Sequence, residues 1–156
     1  MTETPPAEMA QLVKYVTEYI RDITALSGQA VAIEFQTTGR TAGLVVKANA
    51  GQYKQKVYVN GSTGEFVGQF SFMVLSTVAA SDGEVATLNA TKPLQDIADD
   101  FDGLTKTEIE ALEIGDSREA SKIEMTTQPQ DMAGIQENGD ITFFAVYTLT
   151  YRRKGA

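Results

Sequence analysis

The sequence contains no cysteine and no histidine, and these two absences exclude most enzyme chemistry before any motif is sought. Without cysteine, disulfides and thiolate metal sites are unavailable, and no oxidising compartment is implied. Without histidine the chain lacks the side chain that most easily moves protons near neutral pH. Ser-His and Cys-His nucleophile systems are therefore excluded, as are the usual zinc and non-haem iron ligand sets. What survives is carboxylate, lysine or tyrosine chemistry. Apolar runs are short as well. None approaches the ~20 residues needed to cross a bilayer, and the opening MTETPPAEMA lacks the basic and apolar regions of a secretory signal. The expected setting is a cytosol until the chain is assembled into something, with no membrane partner. Neither GxxxxGK[ST] nor GxGxxG occurs, so the phosphate-cradling loops of nucleotide enzymes are missing and no cofactor is expected.

Charge is present but unevenly placed. Of 156 residues, 21 are acidic and 13 basic, a formal net charge of -8. Between Asp82 and Glu124 twelve acids face four bases, which accounts for the whole imbalance. From Phe35 to Gly64 there is no acid, and Arg40, Lys47, Lys54 and Lys56 are the only charges. In an oligomer this asymmetry brings a basic segment of one copy near an acidic segment of the next; in a monomer it is a pair of solvated faces. With a pI near 4.5, free nucleic acid is an unfavourable partner for the whole protein.

At 42% hydrophobic the chain is large enough for one compact core, and its length requires only one domain, 1–156. Thr4-Pro5-Pro6 reads as a helix start with Thr4 as N-cap. Met9, Leu12, Val13, Val16, Ile20 and Ile23 then recur at helical spacing, and Ser27-Gly28 stops the stripe. Ala30 to Gln36 alternates as a first strand. TTGRTAGLVVKANAGQYK, which follows, is glycine-rich and poorly periodic apart from its LVV. It reads as a long loop, a loose hairpin or a flexible arm over 37–53 that orders against a partner. Lys54 to Val59 makes a short strand, Asn60-Gly61 a turn, and Glu65 to Thr77 a longer strand with Phe66, Phe70, Phe72 and Val74 on one face. Thr91 and Pro93 open a second helix that turns Leu94, Ile97, Ala98 and Phe101 inward, and Asp102-Gly103 ends it. Glu108 to Ile114 reads as a short strand, with a period that also suits a helix. Lys122 to Thr127 begins a terminal hairpin in which Pro129 limits its strand to an edge or a bulge. In the closing run Ile141, Phe143, Ala145, Tyr147, Leu149 and Tyr151 share one face and Thr142, Phe144, Val146, Thr148 and Thr150 the other. Both faces are at least half apolar, so the second is expected to meet a helix, a sheet or another copy.

Candidate chemistry is sparse. Asp99-Asp100-Phe101-Asp102-Gly103 has the look of a calcium loop, but a loop opening at Asp100 would need a bidentate glutamate where Ala111 stands. One opening at Asp102 would need oxygen ligands where Leu104 and Lys106 stand. The stretch reads instead as a solvated helix end, and no metal site is expected. The six tyrosines, 15, 19, 53, 58, 147 and 151, fall mostly on core-facing or strand positions. No pair of residues has the spacing of a nucleophile and its activator, and no catalytic residue is assigned.

The order of parts resembles the small minor capsid or tail-terminator proteins of long-tailed phages. The resemblance is carried by the amphipathic N-terminal helix, the aromatic strand FVGQFSFMVLS, the helix LQDIADDFDGL and the closing strand FAVYTLTYRRKG, and it runs from about Met9 onward. It implies an α+β fold with helices on a mostly antiparallel sheet, and a ring, six-fold in that family, at the head-proximal end of a tail. Its implied partners are other copies of the chain, the tail-tube protein and the head-completion or neck proteins. Such a ring stops tube growth and joins tail to head; if it encloses the path of the genome, carboxylates facing the lumen would repel DNA and let it slide, the alternative being a solvated outer face. On this reading the interface candidates are Arg40, Lys47, Lys54, Lys56, Arg152 and Arg153, and the lumen candidates are Asp99, Asp100 and Asp102. The alternatives are a tail-tube or neck subunit and, from a different class, a small-ligand-binding domain or carboxylate-based enzyme.

Overall fold

In a computed structural model, the described residues are 5–26, 31–33, 43–48, 56–58, 66–79, 83, 89–115, 118–135 and 140–153. They form an α+β structure in the order α1 (Pro5–Arg21), a 3-10 turn (Thr24–Leu26), β1 (Val31–Ile33), β2 (Gly43–Ala48), β3 (Lys56–Tyr58), β4 (Phe66–Ala79), α2 (Lys92–Asp102), α3 (Lys106–Glu110), β5 (Arg118–Ile135) and β6 (Asp140–Arg153). The six strands make one sheet in the order β1-β2-β4-β6-β5. β3 shares an edge of β4 with β2, pairing Lys56 to Tyr58 against Gly68 to Phe66. Only β1 and β2 run parallel.

The helices lie over one face of this sheet because their stripes and the strands' alternation agree. On α1, Leu12, Val13, Val16 and Ile20 are buried while Gln11, Lys14, Glu18 and Arg21 are exposed. The helix packs over β1 and β2, whereas α2 packs over β4, β5 and β6. From the strands, Leu44 and Val46, Phe70, Phe72 and Val74, Ile123, and Ala145, Tyr147, Leu149 and Tyr151 enter the same core. At its centre Phe72 stacks on Tyr147 with ring centroids 5.4 Å apart, and Phe101 of α2 meets Tyr147 edge-on at 5.6 Å. Aromatic pairs in these arrangements contribute about 0.5–1.5 kcal/mol beyond the area they bury. Phe70, Phe72 and Val74 of the aromatic strand, Leu94, Ile97, Ala98 and Phe101 of the second helix, and Ala145, Tyr147, Leu149 and Tyr151 of the closing strand are buried as expected, whereas Ile141 and Phe143 are only half-buried and Thr142 and Val146 of the other face are buried too.

Several expectations change. The stretch 37–53 contains a strand, not only an arm: Gly43–Ala48 is β2, hydrogen-bonded to β1 and β4. Its LVV is short, but Leu44 and Val46 alternate into the core, and two flanking strands satisfy its backbone. The rest of that stretch, Thr4, Ser27-Gly28 and Asn60-Gly61 lie outside the described residues. α1 ends at Arg21 and hands over to the 3-10 turn, which buries Ile23 and Leu26. Glu108–Ile114 is not a strand. Thr105 accepts a hydrogen bond from the Glu108 N–H (3.2 Å) while Glu108 Oε1 accepts from the Thr105 N–H (2.9 Å), a reciprocal cap that starts α3 instead. Thr91, read as opening α2, makes no side-chain cap to its helix. β5 begins at Arg118, four residues before the expected Lys122.

β5 is also irregular. Its pairing with β6 slips at four places, one of them between Thr127 and Gln130, around Pro129. Eighteen residues, Arg118–Ile135, thus oppose the thirteen from Ile141 to Arg153. Bulges of this kind are common on edge strands, where they re-aim side chains and spoil the edge as a template for pairing.

Candidate interaction surfaces

The sheet has a second face, and among the described residues no helix covers it. β4 presents Met73 and Leu75 there, between the buried Phe72, Val74 and Ser76 of the opposite face, and register puts Val146 and Phe144 of β6 beside them. Val45 of β2 lies opposite Leu75, and Lys47 opposite Met73. The result is an apolar patch at mid-sheet with one lysine at its side. Towards one end the face becomes polar: Ser71 Oγ lies 3.0 Å from Thr148 Oγ1, and Thr126 Oγ1 lies 3.2 Å from the same hydroxyl while donating to the Val146 carbonyl. These hydroxyls, with Gln69, Glu124 and Thr127, line a shallow groove of about 350 Å³. At the other end Thr77 and Thr142 pair at 3.0 Å. Period-2 alternation builds both faces from the same strands, so β6 buries its tyrosines on one side and carries Thr142, Phe144, Val146 and Thr148 on the other, where Thr142 and Val146 are buried as well.

On the helix side a cavity of about 150 Å³ opens between α1, the end of α2 and the turn at 112–114. Its floor is apolar, with Val16, Phe101, Ile123 and Leu149, and its rim carries Tyr15, Tyr19, Glu18, Asp22 and Glu113. Tyr19 donates its hydroxyl proton to Asp100 Oδ2 at 2.6 Å and tilts against Phe101 at 5.9 Å. Burial, then the hydrogen bond to Asp100, then the charges of Asp100 and Glu108 push the Tyr19 hydroxyl well above its ordinary range. Burial alone does the same to Tyr147, which donates to the Leu94 carbonyl at 2.7 Å. Beside the cavity Arg118 holds the turn, donating to the Ile114 carbonyl at 3.0 Å and to Gln11 Oε1 at 3.1 Å. Gly115 is required there. Its φ is +107°, and an added Cβ would stand 2.7 Å from Arg118 Nη1.

The interface candidates divide. Register brings Lys56, Arg152 and Arg153 to one end of the sheet: Lys56 pairs with Gly68, Arg152 with Val67 and Glu119, and Arg153 with Phe66 and Arg118. Arg152 is exposed. Lys47 sits further along, half-buried beside the apolar patch. Arg40 and Lys54 lie outside the described residues.

The three aspartates stay on α2 but differ in role. Asp102 is exposed, Asp99 accepts from Gln95 Nε2 at 3.1 Å, and Asp100 is engaged by Tyr19. Among the described residues no three carboxylates gather to hold a metal ion. Sequence reasoning missed the cavity and its rim. The available signal was on α1 and the residue after it, where Tyr15 and Tyr19, like Glu18 and Asp22, stand four apart in sequence, the spacing of neighbours on a helix surface.

No protein-family model matches the sequence, and no curated protein does either. Among solved structures, a chain from the virion of a native gene transfer agent particle is 16% identical, with a TM-score of 0.47 over 92% of this chain and 93% of that one. A second solved chain is 14% identical, with a TM-score of 0.43 over 99% of both.

Proposed function

We propose that the chain is a structural subunit of a phage-like virion, and within it a tail terminator: a ring at the head-proximal end of a tail that stops tube growth and joins the neck. The observation that carries the assembly part of this reading is the face of the sheet that no helix among the described residues covers, with the half-buried Val45, Met73, Leu75 and Phe144 at its middle. An apolar sheet face of that kind is covered in a finished structure, and a neighbouring subunit is the simplest cover. The terminator part rests on the sequence resemblance. A contact between two different surfaces of identical subunits closes into a ring when its rotation permits and otherwise runs on as a filament.

Sedimentation of the purified protein over a range of concentrations, with and without tail tubes, tests the reading. A closed ring of fixed mass, seen by negative stain capping tube ends, is the expected result. A chain that stays monomeric under all these conditions sinks it. Rings that stack into long tubes favour a tail-tube subunit, and monomers with a saturable small ligand favour a binding domain.

A further inference from the structure

We propose that the cavity between α1, the end of α2 and the 112–114 turn is the socket for a lysine or arginine side chain of a second copy, contributed by the acid-free stretch Phe35–Gly64. This deepens the ring reading and rests on it. The cavity combines two features that a long basic side chain needs. Its apolar floor, at Phe101, Ile123 and Leu149, suits an aliphatic stem. Its rim carries Glu18, Asp22 and Glu113, all exposed and none in an ion pair among the described residues, to meet the charged head. About 150 Å³ is room for one such side chain.

Charge complementarity identifies the occupant. Arg40, Lys47, Lys54 and Lys56 are the only charges of their stretch, and the whole excess of acid lies elsewhere in the chain. Of the four, Lys47 stands on the helix-free face, the opposite side of the sheet from the cavity. At Lys47, one copy therefore offers a base on one side of its sheet and the socket on the other. That is the geometry of a heterologous contact, in which each subunit gives with one surface and receives with the next.

A charge swap tests this. One variant carries Glu18→Lys and Asp22→Lys, and a second carries Arg40→Glu, Lys47→Glu and Lys54→Glu. Glu18 and Asp22 are exposed, so the first variant is expected to fold, and the far-ultraviolet dichroism and melting midpoint of both are compared with the wild type. In sedimentation at low salt each variant alone is expected to associate at least tenfold more weakly than the wild type. An equimolar mixture is expected to recover most of the association, because alternating subunits restore opposite charges at every contact.

Wild-type association in either variant alone, or no recovery on mixing, overturns the assignment of the socket while leaving the ring intact. A wild type that stays monomeric overturns both. Calorimetric titration with agmatine closes the remaining route: saturable binding that leaves association unchanged identifies a small-molecule pocket and overturns the second copy as occupant.

Discussion

Tyr147 shows how much one side chain of this core is asked to do. Its ring stacks on Phe72 and receives the edge of Phe101, and its hydroxyl donates to a carbonyl inside α2. The ring supplies packing, while the hydrogen bond fixes where the helix sits along the sheet. Tyr147→Phe keeps the first and removes the second, so it is expected to cost about 1 kcal/mol in urea unfolding with no change in the slope of the transition. Phe101→Ala removes a buried ring instead and is expected to cost about 3–5 kcal/mol.

The same hydroxyl and that of Tyr19 make the fold sensitive to alkali. Both are held above the ordinary tyrosine value of about 10, so above that pH the unfolded chain gives up protons that the folded one keeps. The stability they contribute is complete below pH ~10 and is lost as pH rises towards the folded values. Unfolding midpoints compared at pH 9 and pH 11 should fall for the wild type. They should fall less for a chain carrying both Tyr19→Phe and Tyr147→Phe.

At the scale of elements, the parts that were readable are those in which one pattern acts alone. The stripe of α1, the inward set of α2 and the alternation of β4 and β6 each follow a single period, and that period selects most of their buried residues, Ser71, Thr142 and Val146 being buried on the other face. β2 was obscured because only its Leu44 and Val46 reach the core and glycines surround it; its place depends on flanking strands that sequence spacing does not reveal. α3 was obscured because five residues are too few to establish a period, and its start is decided by the Thr105–Glu108 cap. Thr105→Ala is expected to cost about 1 kcal/mol in thermal unfolding, a size that packing on an exposed turn would not give. The cavity was illegible for a related reason: its walls come from α1, α2, the turn and two strands, and no local pattern records their meeting. In β5, Ser121 is one of the extra residues, and removing it would rotate Ala120 and Arg118 off the core face. With the Arg118 bonds to Ile114 and Gln11 lost, deletion of Ser121 is expected to cost at least about 2 kcal/mol.

For the whole molecule, acid gathers on the helix side, where Asp99, Asp100 and Asp102 close α2 and Glu108 and Glu110 follow on α3. If that side lines the path of the genome, the carboxylates repel DNA and let it slide, whereas lysines would hold it through phosphate contacts. Replacing the three aspartates with lysine is expected to leave ring formation intact and to slow DNA release from particles. Normal release would make the acidic stretch a solvated outer face. The substitution also breaks the Tyr19 contact at Asp100, so a chain with Asp99→Lys and Asp102→Lys alone serves as the control.

β6 is the last described strand in sequence and lies between β4 and β5, which precede it. During synthesis, then, β5 has no strand to lie against and β4 is paired on one edge only, however much of the chain has left the ribosome, until residues 140–153 follow. The sheet closes by insertion of its latest strand between two waiting ones, a local hairpin with β5 and a pairing with β4 between residues distant in sequence, the slower of the two. A nascent chain halted before Asp140 is expected to remain protease-sensitive throughout, and one in which a flexible linker fused after Ala156 carries Arg153 clear of the ribosome to be resistant. Until residues 140–153 are present, the edges of β4 and β5 stay open to chaperones.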